Sequence, residues 1–107
     1  MEQSNYKVLF DELEWQSSML GARSKVFQSG TKQLRLVEFT SQFAEPDWCE
    51  KGHFGFVIQG ELEINFRGHL VRYSEGVGIF IPAGSTSAHK ARSITTTVTL
   101  FLVEDIL

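Results

Sequence analysis

The sequence predicts an all-β domain, a sandwich or barrel, and three observations carry that expectation. Runs rich in β-branched and aromatic residues recur at intervals of roughly ten residues from Gln33 to Glu104. Glycine-containing turns separate them, at Gln28-Ser29-Gly30-Thr31, Gly60, Arg67-Gly68, Ser74-Glu75-Gly76 and Pro82-Ala83-Gly84. No segment longer than about ten residues has a convincing 3.6-residue period.

Residues 1–23 read as an N-terminal arm in which Phe10-Asp11-Glu12-Leu13-Glu14-Trp15 is open between a turn of helix and an extended segment. A short strand is expected over Ser24 to Phe27. Gln33 to Gln42 follows, with apolar content from Leu34, Leu36, Val37 and Phe39. Glu45-Pro46-Asp47 breaks it, because Pro46 has no ladder donor and restricts the residue before it. His53 to Gln59 is the next strand. Glu61 to Arg67 alternates, with Leu62, Ile64 and Phe66 on one face and Glu61, Glu63, Asn65 and Arg67 on the other. His69 to Tyr73 returns from the Arg67-Gly68 hairpin, with His69 as an exposed turn residue. Val77 to Ile81, Thr86 to Arg92 and Thr95 to Glu104 complete the set. Phe54, Phe56 and Phe80 are expected in the core, and Glu61 and Glu63 on the surface.

The chain has 107 residues, the size of one domain, and its apolar content supports one compact core. Net charge is −3, and Lys and Arg are scattered. A nucleic-acid binder presents a basic stripe for phosphates, so no nucleic-acid partner is expected. No polybasic patch and no apolar run of roughly 20 residues supports a membrane partner. No glycine loop of the phosphate-cradling kind precedes a helix, which argues against nucleotide binding. Cys49 is the single cysteine, so no intrachain disulfide can form. Residues Met1 to Phe10 lack an apolar signal core, and the expectation is an unprocessed, cytoplasmic protein.

Two segments resemble the paired motifs of the cupin family. The run His53-Phe54-Gly55-Phe56-Val57-Ile58-Gln59-Gly60 matches a metal-ligand position, six intervening residues and a turn glycine. Gly76, Pro82 and Gly84 match the second motif in register. The interval between the motifs is of the short cupin length, and the resemblance covers roughly residues 33 to 104. Trp48-Cys49-Glu50-Lys51-Gly52-His53 and the closing Leu100-Phe101-Leu102-Val103-Glu104 are similar to short bacterial single-domain cupins. The resemblance implies a double-stranded β-helix, a jelly-roll barrel, with its core at about residues 24–104 within a single domain spanning 1–107. It also implies a homodimer, for which the Phe54-Phe56-Ile58 stripe or the arm would supply the contact.

The departures from the family bear on function. A metal-binding cupin offers a His-x-His pair, a Glu and a last His. Those positions fall here on Asp47 and Cys49, on His53 and on Ser87, and none of the expected identities is retained. A replacement set remains open. Asp47, Cys49 and His53 share parity on an extended strand, and His89 shares the facing of Ser87. These are competent ligands for one divalent transition metal such as zinc, iron, nickel or manganese. The plain alternative makes Cys49 a small buried hydrophobe and His53 a hydrogen-bonded interior residue. Cys49 as a nucleophile would need His53 as its base. Trp48 is open between the barrel mouth, where an aromatic wall suits a small organic ligand, and packing in the core or a dimer contact. The expected function is therefore small-molecule binding in the lumen, with or without a divalent metal. A small metal-dependent enzyme of dioxygenase or isomerase type is the alternative, and an inert structural or interaction domain is a third reading.

Overall fold

The computed structural model describes residues 6–106. The described residues form nine strands and two single-turn 3₁₀ segments. The strands are β1 (Gln16–Met19), β2 (Ala22–Ser29), β3 (Lys32–Thr40), β4 (His53–Gln59), β5 (Leu62–Phe66), β6 (His69–Tyr73), β7 (Gly78–Ile81), β8 (Lys90–Ser93) and β9 (Thr97–Asp105). They make a six-stranded antiparallel sheet in the order β1-β2-β3-β9-β4-β7 and a three-stranded one in the order β6-β5-β8. This is the all-β jelly-roll architecture, with the two sheets not joined into a closed ring. No helix among the described residues is long and apolar enough to cross a membrane.

Strand parity decides what lies between the sheets. In β3 the inward positions include Val37 and Phe39, in β9 Val98, Leu100 and Leu102, and in β5 Leu62 and Ile64. These residues join Val57, Tyr73, Ile79, Ile81 and Ala91 in one buried cluster. Each sheet thus supplies one apolar face, and neither could bury it alone. Phe43, from the loop after β3, stacks on Phe39 with ring centroids 3.8 Å apart and caps the cluster.

The same parity overturns the core assignment of Phe54, Phe56 and Phe80. Strand β4 turns His53, Gly55 and Val57 inward, so Phe54 and Phe56 face out beside Phe80 of β7 and Phe101 of β9. Phe80 is 78% exposed and Phe56 45%. Gly55 accounts for the asymmetry. A Cβ at that position would run into the Phe101 carbonyl, so the crowded face of β4 takes glycine while the aromatic bulk goes outside.

Other boundaries differ for local reasons. The segment Ser85–Ser87 is a 3₁₀ turn, so the strand expected from Thr86 begins only at Lys90. Gly84 lies there at φ +124°, outside strand geometry. The last strand starts at Thr97 rather than Thr95, because Thr95 Oγ1 bonds the Thr97 carbonyl and accepts the Glu61 N–H. The segment that reads from sequence as one arm is divided: Phe10–Glu12 is a 3₁₀ turn and Gln16–Met19 forms the edge strand β1. The arm before Tyr6 lies outside the described residues. Glu63 pairs with Arg92 on the polar face of the three-stranded sheet, and Glu61 lies 3.6 Å from Arg72. His69 is exposed.

Gly55→Ala is expected to destabilise the domain by roughly 3 kcal/mol or more, since backbone rather than a flexible side chain must yield. Gly68→Ala has open space around it and meets only the positive-φ penalty, about 1 kcal/mol. Urea unfolding of the two variants checks the order, and equal losses would remove the crossing at Phe101 as the reason for Gly55.

Candidate metal centre

Two backbone contacts bring Cys49 and His89 together. The Cys49 N–H donates to the His89 carbonyl at 2.8 Å and the His89 N–H donates back at 2.9 Å. This isolated antiparallel bridge is a hydrogen-bonded pair, so the two side chains leave the backbone on the same face. His53 opens β4, one position beyond the Phe54–Val103 pair, and that register sets it beside Glu104 of β9. One ligand atom from each of Cys49, His53 and His89 lies within 4.8 Å of the others. Cys49 Sγ and His53 Nε2 are 3.8 Å apart, and the imidazole centroids 5.2 Å.

The second nitrogen of each ring is already engaged. His53 Nδ1 meets Glu104 Oε2 at 2.6 Å, and His89 Nδ1 donates to the Ser87 carbonyl at 2.9 Å. Both acceptors place the ring proton on Nδ1 in a neutral imidazole, leaving the Nε2 lone pairs as the donors. Glu104 is only 7% exposed and is itself held on three sides. Arg35 donates to it from Nε and Nη2, both at 2.8 Å, and Gln33 from its amide at 2.7 Å.

These contacts set the charge states of the metal-free site. The His53 imidazole, and after it that of His89, draws the Cys49 thiol down to about 5 against the effect of burial. Burial opposes a charged His53, but the Cys49 sulfur and the Glu104 carboxylate raise it to about 9. Burial opposes an ionised Glu104 as well, and the donors from His53 and Arg35 hold it at about 2. Burial also opposes a charged His89, but the Cys49 sulfur and the Ser87 carbonyl shift it up. The metal-free pocket therefore holds a thiolate–imidazolium pair beside a carboxylate–guanidinium pair.

The donor set fits a late first-row metal. A tetrahedral ion with one sulfur and two imidazole ligands needs donor separations of ~3.5 Å. The Cys49–His53 distance is near that already, and the group as a whole needs to contract by about 1 Å. Deprotonated sulfur, neutral imidazoles with fixed Nδ1 protons and a carboxylate behind one ring are what such an ion requires.

Beside the group lies a cavity of about 110 Å³. His53, His89 and Glu45 line one part of it, Ser18, Met19 and Arg23 another, and Phe39, Leu62, Ile64 and Leu100 much of the rest. Glu45 is fixed by its Oε1, which accepts the Ala91 N–H at 2.8 Å. Burial raises its pKa, with the Ala91 hydrogen bond opposing.

Of the residues singled out by sequence, the structure gathers Cys49, His53 and His89. It leaves two apart. Asp47 is exposed and outside the group, since the chain between Pro46 and Gly52 is not a strand and strict alternation does not hold. Trp48 does not line the cavity. Its ring lies under the Arg67 guanidinium at 4.7 Å and the Lys90 ammonium at 4.8 Å. Sequence reasoning missed Glu104, Arg35 and Glu45. Parity held the signal for the first two: Glu104 continues the inward series Val98, Leu100, Leu102, and Arg35 precedes Val37 and Phe39 in theirs.

No protein-family profile matches the sequence, and no curated protein matches it. Solved structures do match. The polyketide cyclase RemF from Streptomyces resistomycificus superposes with a TM-score of 0.79 at 16% identity, over 94% of this chain and 79% of that one. KdgF from Halomonas sp. gives 0.77 at 22% identity, over 92% and 93%. An RmlC-like cupin from Shewanella frigidimarina gives 0.76 at 15% identity, over 100% and 96%. The fold is that of the cupins.

Acid stability follows from Glu104. Its folded-state pKa lies below the ordinary 4.5, so its contribution is complete above that value and is lost as pH falls toward 2. Chelator-treated Glu104→Ala is expected to lose about 3–5 kcal/mol at neutral pH, leaving Arg35 and His53 without their partner. Glu104→Gln keeps hydrogen-bonding capacity and should flatten the decline between pH 4.5 and 2. Denaturant melts across pH check both, and an unchanged acid limb would remove Glu104 as its source.

Proposed function

We propose that the protein is a small-molecule-binding cupin barrel whose lumen carries one divalent transition metal on Cys49, His53 and His89. The observation that carries this reading is the convergence of three donor atoms on one another beside a mainly apolar cavity that His53 and His89 line, with the far nitrogen of both imidazoles already tied. Glu104 holds the His53 proton on Nδ1 and orients the ring, Arg35 and Gln33 hold Glu104, and the Ser87 carbonyl does the same for His89. Such an ion supplies a Lewis-acidic centre at the wall of the cavity. The chain's own part is to orient the donors, to exclude water with Phe39, Phe43 and Leu100, and to present Glu45 from the facing loop.

A metal-dependent enzyme of isomerase or dioxygenase type is the second reading. It is favoured by the number of chain donors, since three ligands leave a coordination position open where a structural site would close it.

The reading includes a homodimer through the outer face of the six-stranded sheet. Phe54, Phe56, Phe80 and Phe101 adjoin there, and Phe10 of the arm meets Phe101 edge-on at 6.2 Å. Monomers seldom expose an apolar patch beyond a few hundred Å², and this one continues onto the arm. A self-complementary patch on a C2 axis covers both copies at once. Phe80→Glu is expected to give a folded monomer by light scattering, while Leu70→Glu, on the other sheet, leaves the dimer intact. A monomeric wild type overturns the assembly.

Elemental analysis of protein purified without chelator tests the metal. About one equivalent of a transition metal is expected, reduced at least tenfold in a His53→Ala, His89→Ala variant that still melts cooperatively. Wild type that stays metal-free after incubation with zinc, iron, nickel and manganese overturns the proposal.

A further inference from the structure

A metal on this site would leave a charge that only Glu45, among the acids on the cavity wall, is placed to offset. A divalent ion on one thiolate and two neutral imidazoles leaves one positive charge in excess. Arg35 and Glu104 cancel each other through their two-point contact, and Arg23 is paired with Glu38. An uncompensated charge beside apolar walls is costly, so the open position favours an anion, either hydroxide from bound water or the carboxylate of a ligand. Glu45 is the remaining acid on the cavity wall, and the Ala91 N–H already holds one of its oxygens. It does not belong to the group of converging donors.

Size and wall chemistry restrict the anion further. A dry cavity of about 150 Å³ accepts benzene, so one of about 110 Å³ suits a slightly smaller body. Val37, Phe39, Leu62, Ile64, Leu100 and Leu102 offer that body no hydrogen bonds. Arg35, also on the wall, spends Nε and Nη2 on Glu104, and Nη1 keeps its donors for a ligand oxygen.

We infer that the cavity binds a small organic monocarboxylate, with its carboxylate between the metal position and Arg35 and a compact apolar body of about four to six heavy atoms against Phe39, Leu62 and Leu100. The inference rests on the metal reading above and specifies what that site recognises. It disfavours sugars and other polyhydroxylated compounds, because apart from Ser18, Ser24, Arg23, Arg35, Glu45 and the two histidines the wall offers their hydroxyls no partner. A longer acid would overfill the cavity of about 110 Å³ and extend through its open side, leaving apolar chain in water.

The test uses the full chain, with metal content measured first and then calorimetric titration of zinc-loaded and metal-free protein. The probes are butyrate and isovalerate, with 1-butanol as a neutral analogue, octanoate as an oversized acid and glucose as a polyol. Both short acids are expected to bind the zinc-loaded protein at least tenfold more tightly than the alcohol, octanoate or glucose, and to lose that affinity without metal. In cobalt-substituted protein, butyrate is expected to shift the visible absorption bands, a readout independent of heat.

Ala91→Leu and Ala22→Leu fill the cavity from two different strands, β8 and β2, and each is expected to weaken butyrate at least tenfold with metal stoichiometry unchanged. One folded variant of the two suffices. Zinc-loaded protein that binds butyrate no better than 1-butanol, or equally well with the cavity filled, overturns the inference and leaves the metal reading standing. Acid binding that appears only in Glu45→Gln overturns it too, by showing that Glu45 supplies the anion. Failure to take up metal overturns both readings together.

Discussion

The Glu104 carboxylate is the constraint around which the polar part of the structure is arranged. It sits at the inward end of β9, after three buried apolar residues, where an ionised group without partners would be costly. Its partners come from both neighbouring strands: Gln33 and Arg35 from β3, His53 from β4. Satisfying one buried carboxylate therefore fixes the relative register of three adjacent strands at one end of the barrel. It also fixes one face of His53, so that the other nitrogen can point only toward Cys49. The geometry of the candidate metal centre is in this sense a by-product of hydrogen-bond accounting around Glu104.

A second device, independent of the first, brings the remaining donors into place. The loop from Ser41 to Gly52 carries Phe43, Glu45 and Cys49 along β8 and its approach, through bridges at Ala44–Arg92 and Cys49–His89. Backbone bonds make these attachments, so residue identity in the loop is left free for chemistry. Phe43 seals the core, Glu45 enters the cavity and Cys49 enters the donor group, all from one segment without regular strand structure. Three strands, β3, β9 and β4, hold the Glu104–His53 half of the site, and this loop with the bridge at His89 holds the other.

The legible part of the sequence is the part governed by turn residues and strand parity. Gly60, Gly68, Gly76 and Pro82 mark strand ends that the structure keeps, and the alternation in Leu62–Phe66 sets its faces correctly. Register alone reaches His53 and His89, and they do converge. Parity fails where the chain is not extended. Asp47 groups with Cys49 only if Pro46 to Gly52 is a strand, and a bridge of one residue pair is enough to place Cys49 without it. Parity also says more than turn residues do. The same alternation that places Leu100 and Leu102 inside places Glu104 there, and it also turns Arg35 inward on β3, diagonal to Glu104 across the strand pair. The three aromatics expected in the core show the opposite error, in which hydrophobicity outranks facing. Gly55 carries the correction, because a glycine between Phe54 and Phe56 marks the crowded side of a strand.

The metal-free and metal-bound descriptions of the site differ by a proton exchanged for a cation. Without metal, the His53 proton on the Nε2 side neutralises the Cys49 thiolate, and the Arg35 charge neutralises Glu104. That state is internally balanced, which lets Glu104 be buried and His53 and Cys49 partly so. A divalent ion held by Cys49, His53 and His89 would displace the shared proton and add two charges, so its binding would weaken as protons become more abundant. The low thiol pKa favours the exchange, because little work is needed to deprotonate Cys49. The high His53 pKa opposes it, because that proton must leave. Glu104 therefore acts in two directions: from Nδ1 it orients the imidazole for coordination, and by favouring the imidazolium it opposes loss of the Nε2 proton that coordination would expel. Arg35 moderates the second effect by drawing charge from the carboxylate, so the Glu104–Arg35 contact tunes the competition between proton and metal at His53.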